Sequence, residues 1–190
     1  MEHGALEDGP QTNFFYFLAC TVRPVSSRAG YAAGVLVCIG LLAFALYLQY
    51  VEQQEPCPLC ILQRIAFFAM MAVFVIAALH GPHRRGAFVY STIAFLFAVA
   101  GGGVAARHVW LQHLPADRVP ACGPGLEYML ERFPLREALG KVLAGTGECA
   151  EVGWTFLGLS IAGWSLVWFV LLGVFAIVIA VRAPRARTAW

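Results

Sequence analysis

Long apolar stretches alternate with short polar breaks along the chain, and four of these stretches carry no charge: Ala29 to Val51, Ile65 to Leu79, Gly86 to Ala106, and Val152 to Val181 with a less apolar start. A helix needs about 20 apolar residues to cross a hydrocarbon core. In lipid every backbone group must find its partner within the segment, which a helix achieves. The pattern therefore predicts four transmembrane helices, at about 29–51, 62–80, 86–106 and 160–181, with the second apolar run the shortest. The first run is expected to remain in the protein: it is long for a cleavable signal peptide, follows an acidic and aromatic leader, and lacks an A-x-A exit. Four spans place both termini on one side of the membrane.

The basic residues set the orientation. Arg23 and Arg28 precede the first span, Arg84 and Arg85 separate the second from the third, and Arg182, Arg185 and Arg187 follow the fourth. By the positive-inside rule these ends are expected on the cytoplasmic side. The connections at about 52–60 and 107–159 then face outward, to the periplasm in a Gram-negative source. The shorter holds Glu52 and Glu55 but no Lys or Arg, and the longer mixes both signs. In the long loop Leu126, Met129, Leu130 and Phe133 recur at helical spacing opposite Glu127, Glu131 and Arg132. This predicts a short amphipathic helix, lying on the membrane surface or capping the bundle. Phe14 to Ala19 in the leader is too short to span and is suited to the interface.

Composition agrees with lipid as the solvent: 60% of the 190 residues are hydrophobic, 13% are charged, and mean hydropathy is +0.72. A formal net charge of +2 with scattered arginines excludes the basic stripe of a nucleic-acid surface. The expected architecture is an all-α membrane protein of one domain, residues 1–190: a four-transmembrane-helix bundle with a long outer loop.

Candidate chemistry lies in the six cysteines. Cys57, Cys60, Cys122 and Cys149 all fall on the predicted outer side, where thiols are not held reduced. Cys57 and Cys60 form a CxxC that opens the second span, so Pro58 can occupy the first helical turn and the pair sits at a helix N-terminus. Free amides and the helix dipole favour a thiolate there, and the thiolate is the species that attacks disulfides. Arg64 follows Cys60 by four residues, one turn along the same face. Its guanidinium can hold the Cys60 thiolate, polarise a quinone carbonyl, or simply snorkel to the membrane surface. Cys122 and Cys149 are too far apart in sequence for a second CxxC knuckle, which disfavours a four-cysteine zinc site, and no metal is expected. A purely structural disulfide between Cys122 and Cys149 would explain that pair but leave the CxxC unexplained. Cys20 and Cys38 stand alone and are assigned no role. His108 and Gln112, near the outer end of the third span, can hydrogen-bond a quinone head group or act as interfacial anchors. Gly101, Gly102 and Gly103, with Ala98 and Ala105, offer a small-residue surface for close helix packing.

Several segments resemble the DsbB family of disulfide bond formation proteins. Pro56-Cys57-Pro58-Leu59-Cys60-Ile61-Leu62-Gln63-Arg64 is similar to the family's CxxC and quinone-site arginine. Cys122-Gly123-Pro124, Gly145-Thr146-Gly147-Glu148-Cys149-Ala150 and Trp154-Thr155-Phe156-Leu157-Gly158-Leu159 are similar to its second periplasmic loop. The likeness runs from the first span to the fourth, behind a leader longer than is usual. It implies a quinone-dependent protein-dithiol oxidoreductase in the bacterial inner membrane, with ubiquinone or menaquinone as cofactor. The implied partner is a periplasmic thioredoxin-fold protein of the DsbA type. By the same resemblance, Cys122 forms the mixed disulfide with that partner, Cys149 completes the loop pair, and Cys57 and Cys60 receive the electrons. Cys60 then lies nearest the quinone, with Arg64 and His108 as candidate quinone-binding residues. Alternatives are a vitamin K epoxide reductase-like enzyme, set apart because the CxxC here opens the second span, a paralogue serving a dedicated partner, and a non-catalytic scaffold or metal carrier with one stabilising disulfide.

Overall fold

The computed structural model describes residues 27–115, 118–119 and 134–183. Its elements, in order, are α1 (Ser27–Tyr50), α2 (Pro58–His80), α3 (Arg84–Gln112), α4 (Leu135–Ala144), a 3-10 turn at Gly147–Cys149, the strands β1 (Thr155–Phe156) and β2 (Leu159–Ser160), and α5 (Ile161–Arg182). The helices α1, α2, α3 and α5 are each long and apolar enough to cross a membrane, in keeping with the four-span architecture expected from the apolar runs.

Helix packing follows the placement of small and aromatic residues. The buried positions of α3 are Ala87, Ser91, Ala94, Ala98, Gly101, Ala105, His108 and Leu111, spaced three or four apart along one stripe. Those of α2 include Leu59, Gln63, Phe67, Met70, Phe74 and Ala77, with the same spacing. Large apolar side chains such as Leu36, Ile76, Leu79, Leu96 and Val181 point away from the bundle. Between helices in lipid, close packing replaces the hydrophobic effect as the associating force, and the small stripe of α3 permits it. Phe67 of α2 and Phe169 of α5 stack with ring centroids 4.0 Å apart and planes 7° from parallel. Gly101 lies directly against Phe169 and Ala66, where a Cβ would collide with the ring, whereas Gly103 has open space around it. Of the glycine triplet, then, Gly101 is the member that close packing requires.

At the end of the bundle where α2 turns into α3, polar contacts fasten the helices. Tyr31 Oη donates to the Ala87 carbonyl at 3.0 Å and lies 3.1 Å from Ser91 Oγ. Ser27 Oγ donates to the Pro82 carbonyl at 3.0 Å. Helix α2 stops at Gly81, which takes the left-handed conformation (φ 63°) and returns its N–H to the Ala77 carbonyl, the ordinary exit for a glycine followed by proline.

Two helices reach beyond the spans expected at about 62–80 and 86–106, whereas α5 keeps to the span expected at about 160–181. Helix α2 begins before the span drawn at about 62–80, at Pro58, in keeping with the expected placement of Pro58 in its first turn, with Cys57 as its cap. Helix α3 runs past 106 to Gln112, since nothing in 107–112 breaks a helix and Arg107 is used there. The Arg107 guanidinium lies 4.2 Å over the Trp110 ring and donates to the Leu143 and Ala144 carbonyls, satisfying the C-terminal end of α4. The less apolar start of the fourth run is a separate antiparallel hairpin pairing Thr155 with Ser160 and Phe156 with Leu159. Its two-residue turn needs positive φ at both positions, found at Leu157 (50°) and Gly158 (78°). Ser160 Oγ then caps α5 by accepting from the Gly163 N–H at 3.2 Å. In the long loop α4 carries a Glu137–Lys141 pair one turn apart. The amphipathic segment expected at Leu126 to Phe133 lies outside the described residues, as do the leader through Ser26, with Cys20, and Cys122.

Candidate functional site

The CxxC is placed by the start of α2. Cys57 holds an extended backbone (φ −65°, ψ 163°) as the N-cap residue, and its sulfur accepts from the Cys60 N–H at 3.4 Å. A helix must dispose of its first free amides, and here sulfur takes that part. The same turn folds Cys60 Sγ back to 3.2 Å from Cys57 Sγ. The expected helix-terminal position of the pair is therefore realised, with Cys57 buried and Cys60 partly open.

Cys149 reaches the pair from the long loop. The 3-10 turn after Thr146 returns the Cys149 N–H to the Thr146 carbonyl at 2.9 Å and buries the thiol completely. That thiol packs with Leu59 and the Cys57 side chain. The contact with Cys57 pushes the Cys149 thiol well above its ordinary pKa, and burial pushes the same way. Leu59, Leu111, Val142, Cys57 and Cys149 form a small apolar cluster of their own, so α4 and the end of α3 clamp the turn against the start of α2.

The fourth group is His108. The stripe that carries Ala98, Gly101 and Ala105 inward carries His108 inward as well, leaving it 4% exposed. Its Nε2 lies 3.7 Å from Cys57 Sγ and its Nδ1 4.0 Å from Cys60 Sγ. Gln63, brought to the same level by the buried stripe of α2, places its side-chain amide 3.1 Å from His108 Nδ1. His108 is thus no interfacial anchor: it is enclosed between the CxxC and Gln63. Gln112 has a structural partner, accepting from Ser160 Oγ at 2.6 Å.

Arg64 sits one turn beyond Cys60. It donates from Nη1 to Gln49 Oε1 at 2.5 Å and from Nη2 to the Ala45 carbonyl at 3.0 Å, both on α1. Such contacts hold the guanidinium inside the bundle instead of letting it snorkel outward. Cys57, Cys60, Gln63, Arg64 and His108 line one cavity of about 480 Å³, whose other walls are largely apolar and aromatic, including Leu41, Phe44, Phe67, Trp154, Trp164 and Trp168. Small-molecule sites have this size and this mix of apolar wall with a few converging polar groups. Phe44, Trp154, Phe156 and Trp164 form a continuous ring row along its rim, with successive centroids 5.7, 5.8 and 6.1 Å apart. Trp164 Nε1 donates to the Phe156 carbonyl at 3.0 Å, which ties the hairpin to α5.

The cysteines and cations singled out from sequence thus converge, Cys122 excepted because it is not among the described residues. Three contributors have no role assigned from the sequence: Gln63 against the imidazole, Gln49 and the Ala45 carbonyl holding Arg64, and the aromatic hairpin as a wall. Gln63 was accessible in principle, since an amide amid an otherwise apolar inward stripe needs a polar partner. Cys38, buried in the middle of α1, lies in the apolar core, apart from this cluster.

Known proteins fit this arrangement. The sequence profile described as Disulfide bond formation protein DsbB matches residues 27–179. A protein from Hahella chejuensis named Disulfide bond formation protein B is 53% identical over 161 residues, covering 85% of this chain and 98% of its own length. Proteins of the same name from Nitrosococcus oceani and Aromatoleum aromaticum are 54% and 50% identical, covering 80% and 83% of this chain and 90% and 94% of their own lengths. With the profile matched across all four long helices, and relatives matched along nearly their whole length, this chain belongs to the DsbB family of disulfide bond formation proteins.

Proposed function

We propose that this protein reoxidises a periplasmic dithiol protein of the thioredoxin fold, of the DsbA type, and passes the electrons through two cysteine pairs to a membrane quinone. Family membership and the four long apolar helices make this a multi-pass membrane protein with an oxidoreductase role in disulfide bond formation. The observation that carries the finer reading is the meeting of Cys149 with Cys57 at the lip of an apolar cavity that also holds Cys60, Arg64 and His108.

In the resting enzyme the proposed pairs are Cys122 with Cys149 and Cys57 with Cys60. A partner thiolate attacks Cys122, forming a mixed disulfide and releasing Cys149. The Cys149 sulfur, already against Cys57, attacks it; the Cys57–Cys60 bond breaks and Cys60 leaves as thiolate. The partner's second thiol then displaces Cys122, which in turn attacks Cys149 and frees Cys57. The partner is left oxidised, the loop pair restored, and Cys57 and Cys60 reduced, with two electrons and two protons transferred. Exchange of this kind proceeds through a thiolate in line with a disulfide.

The cavity fits a quinone: its apolar and aromatic walls suit the ring and isoprenoid tail, and Arg64 and His108 are the polar groups able to face a carbonyl. Bound there, ubiquinone or menaquinone supplies a two-electron acceptor strong enough to offset the oxidising potential of the partner, about −120 mV for DsbA itself. Arg64 favours negative charge developing at that site, and Gln63 orients the imidazole beside the dithiol. In this reading both outer loops face the periplasm and both termini the cytoplasm of a bacterial inner membrane.

The test is quinone reduction by the membrane protein with a reduced thioredoxin-fold partner, each of the four cysteines being replaced in turn. Cys60→Ala should abolish quinone reduction and Cys122→Ala should abolish capture of the partner. Undiminished quinone reduction by the Cys60→Ala protein would reject the electron path.

A further inference from the structure

Beside the redox chemistry, the same corner of the bundle has the makings of a cation site. One sulfur from Cys57, one from Cys60 and a ring nitrogen of His108 all lie within 4.8 Å of one another. Two of the three residues are at least nine-tenths buried, and they come from two helices that pack tightly, α2 and α3. Zinc bonds of about 2.3 Å to sulfur and about 2.0–2.1 Å to nitrogen, set tetrahedrally, place ligand atoms roughly 3.5–3.8 Å apart. The sulfurs here are 3.2 Å apart, the Cys57 sulfur is 3.7 Å from His108 Nε2, and all three ligand atoms fall within 4.8 Å of one another, so side-chain rotations of about an ångström bring them to that geometry. The supporting shell is present too. A ligating imidazole normally presents its second nitrogen to a hydrogen-bond partner that fixes its tautomer, and the Gln63 amide occupies that place at Nδ1. Turning the amide end for end offers its oxygen to Nδ1–H and frees the Nε2 lone pair for a cation.

We infer that the dithiol form of this protein binds a zinc-class divalent cation through Cys57, Cys60 and His108. Binding converts two thiols to thiolates and releases two protons, with no change of oxidation state. Three protein ligands leave a fourth position for an exchangeable ligand. A sulfur engaged with the cation cannot form the Cys57–Cys60 disulfide, so cation and disulfide exclude each other: the metal holds the pair reduced, and oxidation expels the metal. By linkage each opposes the other to the same degree. The binding needs only the dithiol and the imidazole; its effect on turnover rests on the function proposed above.

Cadmium serves as the probe, because its bonds to thiolate give an ultraviolet charge-transfer absorption. The full-length protein in detergent, reduced and freed of reductant, is titrated without partner or quinone, so that failure of the electron-path proposal leaves this measurement unaffected. Reduced Cys122→Ala protein is used, to remove one competing loop thiol. The expected result is one tightly bound cadmium per chain, displaced by zinc, absent from the disulfide form, and weakened at least tenfold in His108→Gln and in Cys60→Ala. Zinc should also slow reoxidation of the dithiol. Circular dichroism confirms that each variant keeps its helices, and Gln63→Ala, which leaves all three ligands in place, should weaken cadmium by a smaller factor. Cadmium bound with unchanged affinity in helical His108→Gln protein, or no stoichiometric binding by the reduced protein, would overturn the inference.

Discussion

Replacing Arg64 by alanine separates two duties that its position combines. The guanidinium makes two hydrogen bonds to α1, at 2.5 Å to Gln49 and 3.0 Å to the Ala45 carbonyl. Hydrogen bonds involving a charged group contribute about 1.5–3 kcal/mol each, and exposure to the cavity keeps this pair at the low end, so Arg64→Ala should cost about 3 kcal/mol of stability. A bond of the same kind to a quinone oxygen gaining negative charge, lost in the variant, raises the apparent KM for quinone by roughly 10- to 150-fold. Gln49→Ala provides the comparison: it removes one tether and leaves the cation. It should lower the thermal midpoint in detergent while leaving the quinone KM within about threefold. Partner-dependent quinone reduction over a range of quinone concentrations, paired with thermal unfolding of each variant, reads both quantities. An unchanged KM in Arg64→Ala, or an equal rise in Gln49→Ala, would show that Arg64 is only a brace between α1 and α2.

The glycine triplet gives a packing test: Gly101→Ala, whose methyl would meet Phe169, should destabilise by about 1–3 kcal/mol, whereas Gly103→Ala, in open space, should be neutral or slightly stabilising by thermal unfolding. The raised pKa of Cys149 favours the protonated thiol in the fold, so its stabilising contribution is complete below the ordinary thiol pKa of about 8.5 and is lost as pH climbs above it. The thermal midpoint of the reduced protein should accordingly fall in alkaline solution, and less steeply in Cys149→Ser; parallel curves would contradict the assigned environment. In Cys57→Ala, removal of the first cause of that shift should bring the pH at which Cys149 becomes alkylated down towards the ordinary thiol value.

Much of the bundle is legible in the apolar runs, because lipid allows a spanning segment few alternatives to helix. The start of α2 is legible too, since Cys57-Pro58 combines a capping position with a residue suited to the first turn. What escapes a run-by-run reading is register. Ala87, Ala94, Ala98, Gly101 and Ala105 already define the inward stripe of α3, and continuing it by three residues puts His108 in the core, yet proximity to the span's end makes it look interfacial. The β-hairpin is obscured for another reason: Leu157 is an unfavourable residue for positive φ, so its turn lacks the usual Asn-Gly or Asp-Gly signature. Arg64's partners were out of reach because they lie on a different helix, and no spacing rule within α2 points to Gln49. The contact of Cys149 with Cys57 joins residues far apart in sequence and depends on the fold of the long loop, which periodicity does not specify.

The burial of two sulfurs has a consequence for fidelity. Cys149 has no exposed surface and Cys57 only 8%, so a small thiol drifting in from the aqueous phase finds neither atom open to attack. An oxidising centre facing a compartment that contains reductants is vulnerable to short circuits, in which stray electrons are drained without any client being oxidised. Enclosure of these two sulfurs guards against this by kinetics alone: Cys60 faces the cavity, whereas Cys57 and Cys149 open to attack when the loop is reshaped, as a partner protein would do under the function proposed above.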